Sequence, residues 1–239
     1  GKPNTPEPDF SFKKPVFRES IGKQISDLPP DHEAIQVLKQ RKVPESLWHR
    51  FCYSENFYDT VREINDKTVV GRENRLVIPI YDSEKKVIGL QGRSLNGEIP
   101  KYITIKANDY DDVLIYGKDQ RINWAENVHV FEGPIDSLFI PNSLAVLGSN
   151  LKLLDEKLSS SKLVFCFDNE PRNKQIVSKM NEATDLGKRV CIWPDSLKEK
   201  DVNDMIISGL TSDEILDMIT ANTYEGPSTK LRLSTWRKV

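Results

Sequence analysis

The chain has 239 residues, of which 38% are hydrophobic and 29% charged, and its formal net charge is −2. That is enough apolar material for one large domain or two small ones. No run approaches the ~18–20 apolar residues that span a bilayer, and no secretory leader opens the chain, so a cytoplasmic protein is expected. The balanced charge gives no simple electrostatic case for nucleic acid. Cys52, Cys166 and Cys191 lack the paired spacing of a cysteine zinc site.

Residues 1–30 hold Pro3, Pro6, Pro8, Pro15, Pro29 and Pro30, lack sustained periodicity and read as a linker or extended arm. From Asp31 the spacing of Ala34, Val37 and Leu38 predicts a helix. Val43, Leu47, Trp48 and Phe51 predict a second, opened by Pro44. Residues 67–106 read as strands, with Leu76–Tyr81 and Val87–Leu90 flanking the polar turn Asp82–Lys86 in a hairpin-like arrangement. After these come apolar runs at 128–131, 144–147, 162–167 and 189–193, separated by lengths that suit helices, the pattern of parallel strands joined by crossovers. Thr211 and Glu214 fit a capping box ahead of a last helix reaching about Ile219. The end of the chain is basic, with four cations and no acid over 226–239.

In open parallel sheets ligands bind at the carboxyl ends of the strands, so chemistry is sought just after each run. The first run ends with Glu132, a Gly-Pro turn and Asp136, which stands in the first turn of a helix and could be a dipole partner only. The third run ends with Asp168-Asn169-Glu170. Alternation puts Asp168 and Glu170 on one side, where they repel each other unless a cation intervenes, and a hard ion such as Mg²⁺ is the natural candidate. After the fourth run comes Asp201-Val202-Asn203-Asp204, whose acids could equally cap the next helix. Three acidic tips on separate strand ends favour a metal site over solvated loops. Seventeen acidic against ten basic residues over 122–225 agree with that.

Glu132-Gly133-x-x-Asp136, Asp168-x-Glu170 and Asp201-x-Asn203-Asp204, in that order, resemble the Toprim domain over about residues 126–208. That domain is shared by DnaG-like primases, type IA and II topoisomerases and several nucleases. Upstream, Arg75–Asp82, Val87–Arg93, Pro100-Lys101-Tyr102 and Leu114–Gly117 are similar to the polymerase core of DnaG-like primases, so the likeness spans about residues 31–208. The phrase Lys-Asp-Val-Asn-Asp-Met-Ile and the compact length look more like a T-even-type bacteriophage primase than a cellular one. The resemblance implies an α/β fold, in which a smaller α+β subdomain over 31–124 precedes a Toprim subdomain over 125–210. The Toprim part would hold a parallel four-stranded sheet with flanking helices, and residues 211–239 would form a C-terminal helix and a basic tail.

The resemblance also implies DNA-templated synthesis of short RNA primers. Glu132, Asp168, Glu170, Asp201 and Asp204 would hold Mg²⁺ or Mn²⁺, with Asp136 in support. Arg75, Arg93, Lys101 and Tyr102 would meet template or triphosphate, although a lone Arg or Lys is commonly a solvated charge. Single-stranded DNA, ribonucleoside triphosphates and a replicative helicase are the implied partners, in a host cytoplasm if the chain is of phage kind. Glu170 and Asn203 depart from the Asp that cellular primases usually carry at those places. The zinc-ribbon module of the family has no counterpart here, so no zinc is expected in this chain. A topoisomerase would need a tyrosine on a further domain, whereas a Toprim nuclease or a non-catalytic adaptor stays open. The tail Lys230–Lys238, with Trp236, either docks on DNA or helicase or is a solvated end.

Overall fold

The computed structural model describes residues 21–148, 151, 158 and 162–239. The first sheet is antiparallel throughout, in the order β1-β2-β3-β4-β5: Lys23–Gln24, Cys52–Ser54, Arg75–Tyr81, Val87–Ser94 and Tyr102–Lys106. The predicted hairpin is β3 and β4. Asp82 makes its turn by accepting the N–H of both Glu84 and Lys86 at 2.9 Å, while Lys85 takes a positive φ of 65°. Helix α1 (Glu33–Gln40) packs against this sheet with its N-terminus capped by His32, and the segment after Pro44 winds as a 3₁₀ helix over Glu45–Arg50. A short helix α2 (Phe57–Arg62) follows β2.

The second sheet has six strands. Val128–Phe131 (β7), Ser143–Leu147 (β8), Leu163–Cys166 (β9) and Arg189–Cys191 (β10) are parallel, and the two edges are antiparallel: Leu114–Tyr116 (β6) on β8 and Thr223–Tyr224 (β11) on β10. The parallel strands are nearly all buried because both faces are covered, which is why they read as continuous apolar runs. Their side chains alternate strictly. Phe131, Ala145, Val164, Cys166 and Cys191 join Leu76, Ile78 and Ile80 of β3 in one core, while Val130, Val146, Phe165 and Val190 face a second core on the other side.

The two sheets therefore share a core instead of meeting through a linker. A buried ion pair reinforces the seam: Arg50 binds Asp119 at 2.7 Å and donates to the Tyr116 hydroxyl at 3.0 Å. β6 comes from the segment expected to lie wholly in the first subdomain, so the expected boundary at 124 falls after the second sheet has begun.

Helices α3 (Pro134–Ser137), α4 (Lys174–Asp185), α5 (Val202–Ser208), α6 (Ser212–Ala221) and α7 (Pro227–Trp236) complete the described chain. The Thr211–Glu214 capping box forms at the start of α6. Two expectations need correction. Residues 21–28 are not an arm: β1 pairs with β2, and Ile21 and Ile25 are buried; residues 1–20 of the expected linker lie outside the described residues. The basic tail is not a frayed end either, because α7 buries Leu233 and Trp236, each 2% exposed, in the second core. Among the described residues no helix is long and apolar enough to cross a membrane.

Candidate metal and phosphate site

Glu132 stands one residue past β7, Asp168 two past β9, Asp136 in the turn of α3, and Asp201 at the N-cap of α5. All four line one pocket of about 360 Å³, and Arg41, Gln91, Lys101, Tyr102 and Lys200 complete its wall. The acids thus come from the carboxyl rim of the parallel sheet, and most of the facing groups come from the first sheet and the end of α1.

Local contacts fix each carboxylate. The N–H of Asp168 points at Glu132 Oε2 at 3.4 Å, and the Lys179 ammonium on α4 contacts Glu132 Oε1. Asp136 Oδ1 accepts the N–H of Asn203 at 2.9 Å, and Asp201 Oδ1 accepts that of Asp204 at 2.7 Å. The Lys200 ammonium sits between Asp168 (3.5 Å) and Glu170 (3.3 Å), so these two acids do share a side as alternation predicts. Asn169 points away and ties its loop to the next one, donating to Leu197 O and Glu199 O.

Crowding of negative charge in a recess has the expected electrostatic result. Burial, reinforced by Asp201 and Asp168, pushes Asp136 up to about 8 against the N–H of Asn203. Burial and the neighbouring Glu132 push Asp168 up to about 6, with Lys200 opposing. Asp201 is raised by burial and by Asp204. Burial lowers the Lys200 ammonium, but Asp168 and Glu170 outweigh it and leave its pKa raised. On the opposite wall Lys101 is lowered by burial and by Arg41 and Arg93 beside it.

Hard carboxylate oxygens held together against their own repulsion are a donor set that fits Mg²⁺ or Mn²⁺. As they stand, however, no group of three or more His, Cys, Asp or Glu side chains among the described residues is arranged to hold a metal ion. Lys200 bridges Asp168 and Glu170, and Lys179 pairs with Glu132 from outside the pocket.

The other expected residues fall differently. Glu170 lies beside the pocket, screened from it by Lys200, and faces a neighbouring groove. Asp204 does not line the pocket; its N–H is what Asp201 caps. Arg75 does not line the pocket. It is fully buried, ion-paired with Glu73 at 2.7 Å, and donates to Pro100 O at 3.0 Å and Gly92 O at 3.4 Å. Arg93 is 8% exposed and donates to the Tyr102 hydroxyl at 3.2 Å, yet with Arg41 and Lys101 it lines an adjoining groove of about 370 Å³.

Sequence reasoning missed Arg41, Gln91, Lys179, Lys200 and Asn203. Lys200 was signalled by its place next to Asp201, while Arg41 at a helix C-terminus reads only as a dipole partner. Asn203, 1% exposed, is a clamp: its amide oxygen accepts from the Arg41 guanidinium and its amide nitrogen donates to Arg41 O, both at 2.7 Å.

No family model matches the chain. It is 37% identical over 221 residues to a DNA primase of Enterobacteria phage T4, covering 90% of this chain and 64% of that protein. It is 25% identical over 190 residues to a DNA primase of Thermotoga maritima, covering 65% of this chain and 34% of that protein. The chain thus spans less than two thirds of the length of either relative. Among solved structures, a DnaG primase catalytic domain bound to single-stranded DNA superposes with a TM-score of 0.62 at 17% identity, covering 90% of this chain and 84% of that one. A DNA primase domain from Pseudomonas aeruginosa gives 0.63 at 19% identity, covering 85% and 76%. At such identities the structural likeness concerns the fold.

Proposed function

From a chain related to the DNA primases and built on the fold of the DnaG primase catalytic core, we propose a DNA-templated RNA polymerase that makes short primers for DNA replication. The observation that carries this is the pocket itself, where four acids from the carboxyl rim of one sheet face Arg41 and Lys101 across about 360 Å³. Glu132, Asp136, Asp168 and Asp201 would hold Mg²⁺ or Mn²⁺, with Glu170 beside them. When bound, the ion supplies charge neutralisation and Lewis-acid polarisation of the triphosphate.

The residues of the chain do the positioning. Arg41 and Lys101 meet phosphate oxygens opposite the acids, and Arg93 lies beside them in the adjoining groove. Tyr102, 37% exposed with Arg93 over its ring, offers a face to a base or ribose. The 3′-hydroxyl of an initiating ribonucleotide or primer attacks the α-phosphorus of the incoming triphosphate and pyrophosphate leaves, so no protein nucleophile is needed. Lys200 holds Asp168 and Glu170 together, and Lys179 holds Glu132, until substrate arrives. The partners in this reading are single-stranded template, ribonucleoside triphosphates and a replicative helicase, in the cytoplasm of the cell whose machinery is used.

Incubating the full-length protein with labelled single-stranded DNA and ribonucleotides tests it. New short RNA is expected, and it should vanish in Asp168→Asn and Glu132→Gln. Shortening of the labelled DNA would point to a nuclease, and undiminished priming by both variants would overturn the site.

A further inference from the structure

One strand along the rim from the acidic pocket lies a larger groove, of about 730 Å³, between the loops that follow β9 and β10. Pro171, Pro194, Leu197 and Trp236 give it an apolar floor, and the backbone N–H of Lys238 donates to Pro171 O at 2.8 Å, fixing the end of the chain to its wall.

Its charge is not balanced. Of the two acids that line it, Glu170 is taken by Lys200 at 3.3 Å and Asp195 by Arg232 at 3.3 Å, and neither of those cations lines the groove. Arg172, Lys198 and Lys238 do line it, are exposed, and have no carboxylate partner among the described residues; Lys238 Nζ makes only a 3.4 Å hydrogen bond to Thr235 O. Three unmatched cations around a concave surface at the carboxyl rim of a parallel sheet make a trap for an anion. Trp236 is 2% exposed, too buried for its ring to stack on a base. What such a groove can recognise is phosphate, without regard to sequence.

We propose that this groove is a second phosphate-binding site. It holds either the backbone of a nucleic-acid strand or the triphosphate end of a nucleotide whose reacting part lies in the acidic pocket. The two sites adjoin through Glu170, which lines the groove, and Lys200, which lines the pocket. The inference deepens the polymerase reading and rests on it for the identity of the ligand; the excess charge does not depend on that reading.

The test is direct binding by the full chain of a labelled oligodeoxynucleotide, by anisotropy at several salt concentrations, and of GTP without divalent metal, by calorimetry. Both are compared in wild type and in Arg172→Glu/Lys198→Glu/Lys238→Glu. Three lost phosphate contacts should lower the slope of log affinity against log salt by about 2, at ~0.7 per contact on a single strand, with a loss of tenfold or more in affinity. Loss of oligonucleotide binding identifies the strand backbone, and loss of GTP binding alone identifies the triphosphate. Mn²⁺ binding measured by electron paramagnetic resonance should not be weakened, which reports an intact rim. If the triple variant unfolds, Arg172→Ala and Lys238→Ala decide, each with a slope change of about 0.7. Oligonucleotide and GTP affinities both equal to wild type in the folded variants would overturn the proposal. Asp168→Asn separates it from the polymerase reading, since that change should abolish priming and leave groove binding intact.

Discussion

Replacing Asn203 with Ala should cost far more than its lack of catalytic chemistry suggests. The residue is 1% exposed, and both polar atoms of its side chain are bound to Arg41 at 2.7 Å, 162 positions away in the chain. One of those bonds involves a charged donor, so the pair is worth about 2–4 kcal/mol, a figure that includes leaving Arg41 O without its partner. For a chain of this size that corresponds to a melting temperature lowered by about 4–16 °C. Asn203→Asp should behave differently. A carboxylate still accepts from the guanidinium but cannot donate to Arg41 O, and it adds negative charge beside Asp136, already raised by burial and by Asp201, and beside Asp201, already raised by burial and by Asp204. The Asp variant should therefore lose more stability at pH 8 than at pH 5, whereas the deficit of the Ala variant should change little between them. Differential scanning calorimetry without divalent metal, at both pH values, measures this. An Ala variant melting within about 1 °C of wild type would refute the clamp, and identical pH dependence in the two variants would refute the electrostatic part.

The acidic pocket should itself make metal-free stability depend on pH. Asp136 is held at about 8 against an ordinary 3.8, so between those values the folded chain keeps a proton that the unfolded chain releases, and stability falls as pH rises through the window. Asp136→Asn should flatten that fall and raise the melting temperature at pH 8; an unchanged slope would locate the effect elsewhere. Arg75→Ala should cost about 2–4 kcal/mol by stripping charged hydrogen bonds from a fully buried site, seen as a lower urea midpoint. Oligonucleotide affinity of the folded fraction should stay within about twofold of wild type, and a large loss would restore Arg75 as a ligand. Trp236→Ala should cost about 3–5 kcal/mol as a buried aromatic, and a melting curve that does not move would mean α7 is not docked.

The parallel sheet was legible because each of its strands, buried on both faces, writes itself as a continuous apolar run; Glu132 and Asp168 were legible because they follow such runs directly, and Asp136 and Asp201 because they stand where the next helices begin. The edge strands were not. β6 and β11 have three and two residues, too few for any periodicity to show. Arg75 was misread for a related reason. A charged residue inside a strand has the same sequence signature whether it faces solvent or a buried partner, and its partner Glu73 stands just before β3 begins. The facing wall of the pocket was the least legible part, because Arg41 and Gln91 arrive through a core shared between the sheets, which leaves no local mark.

Asn203 shows what that core adds. An amide both donates and accepts, and so can grip the backbone and the guanidinium of Arg41 together; a carboxylate can only accept. In the fold this amide is what holds a cation from the first sheet's side opposite the acids of the second.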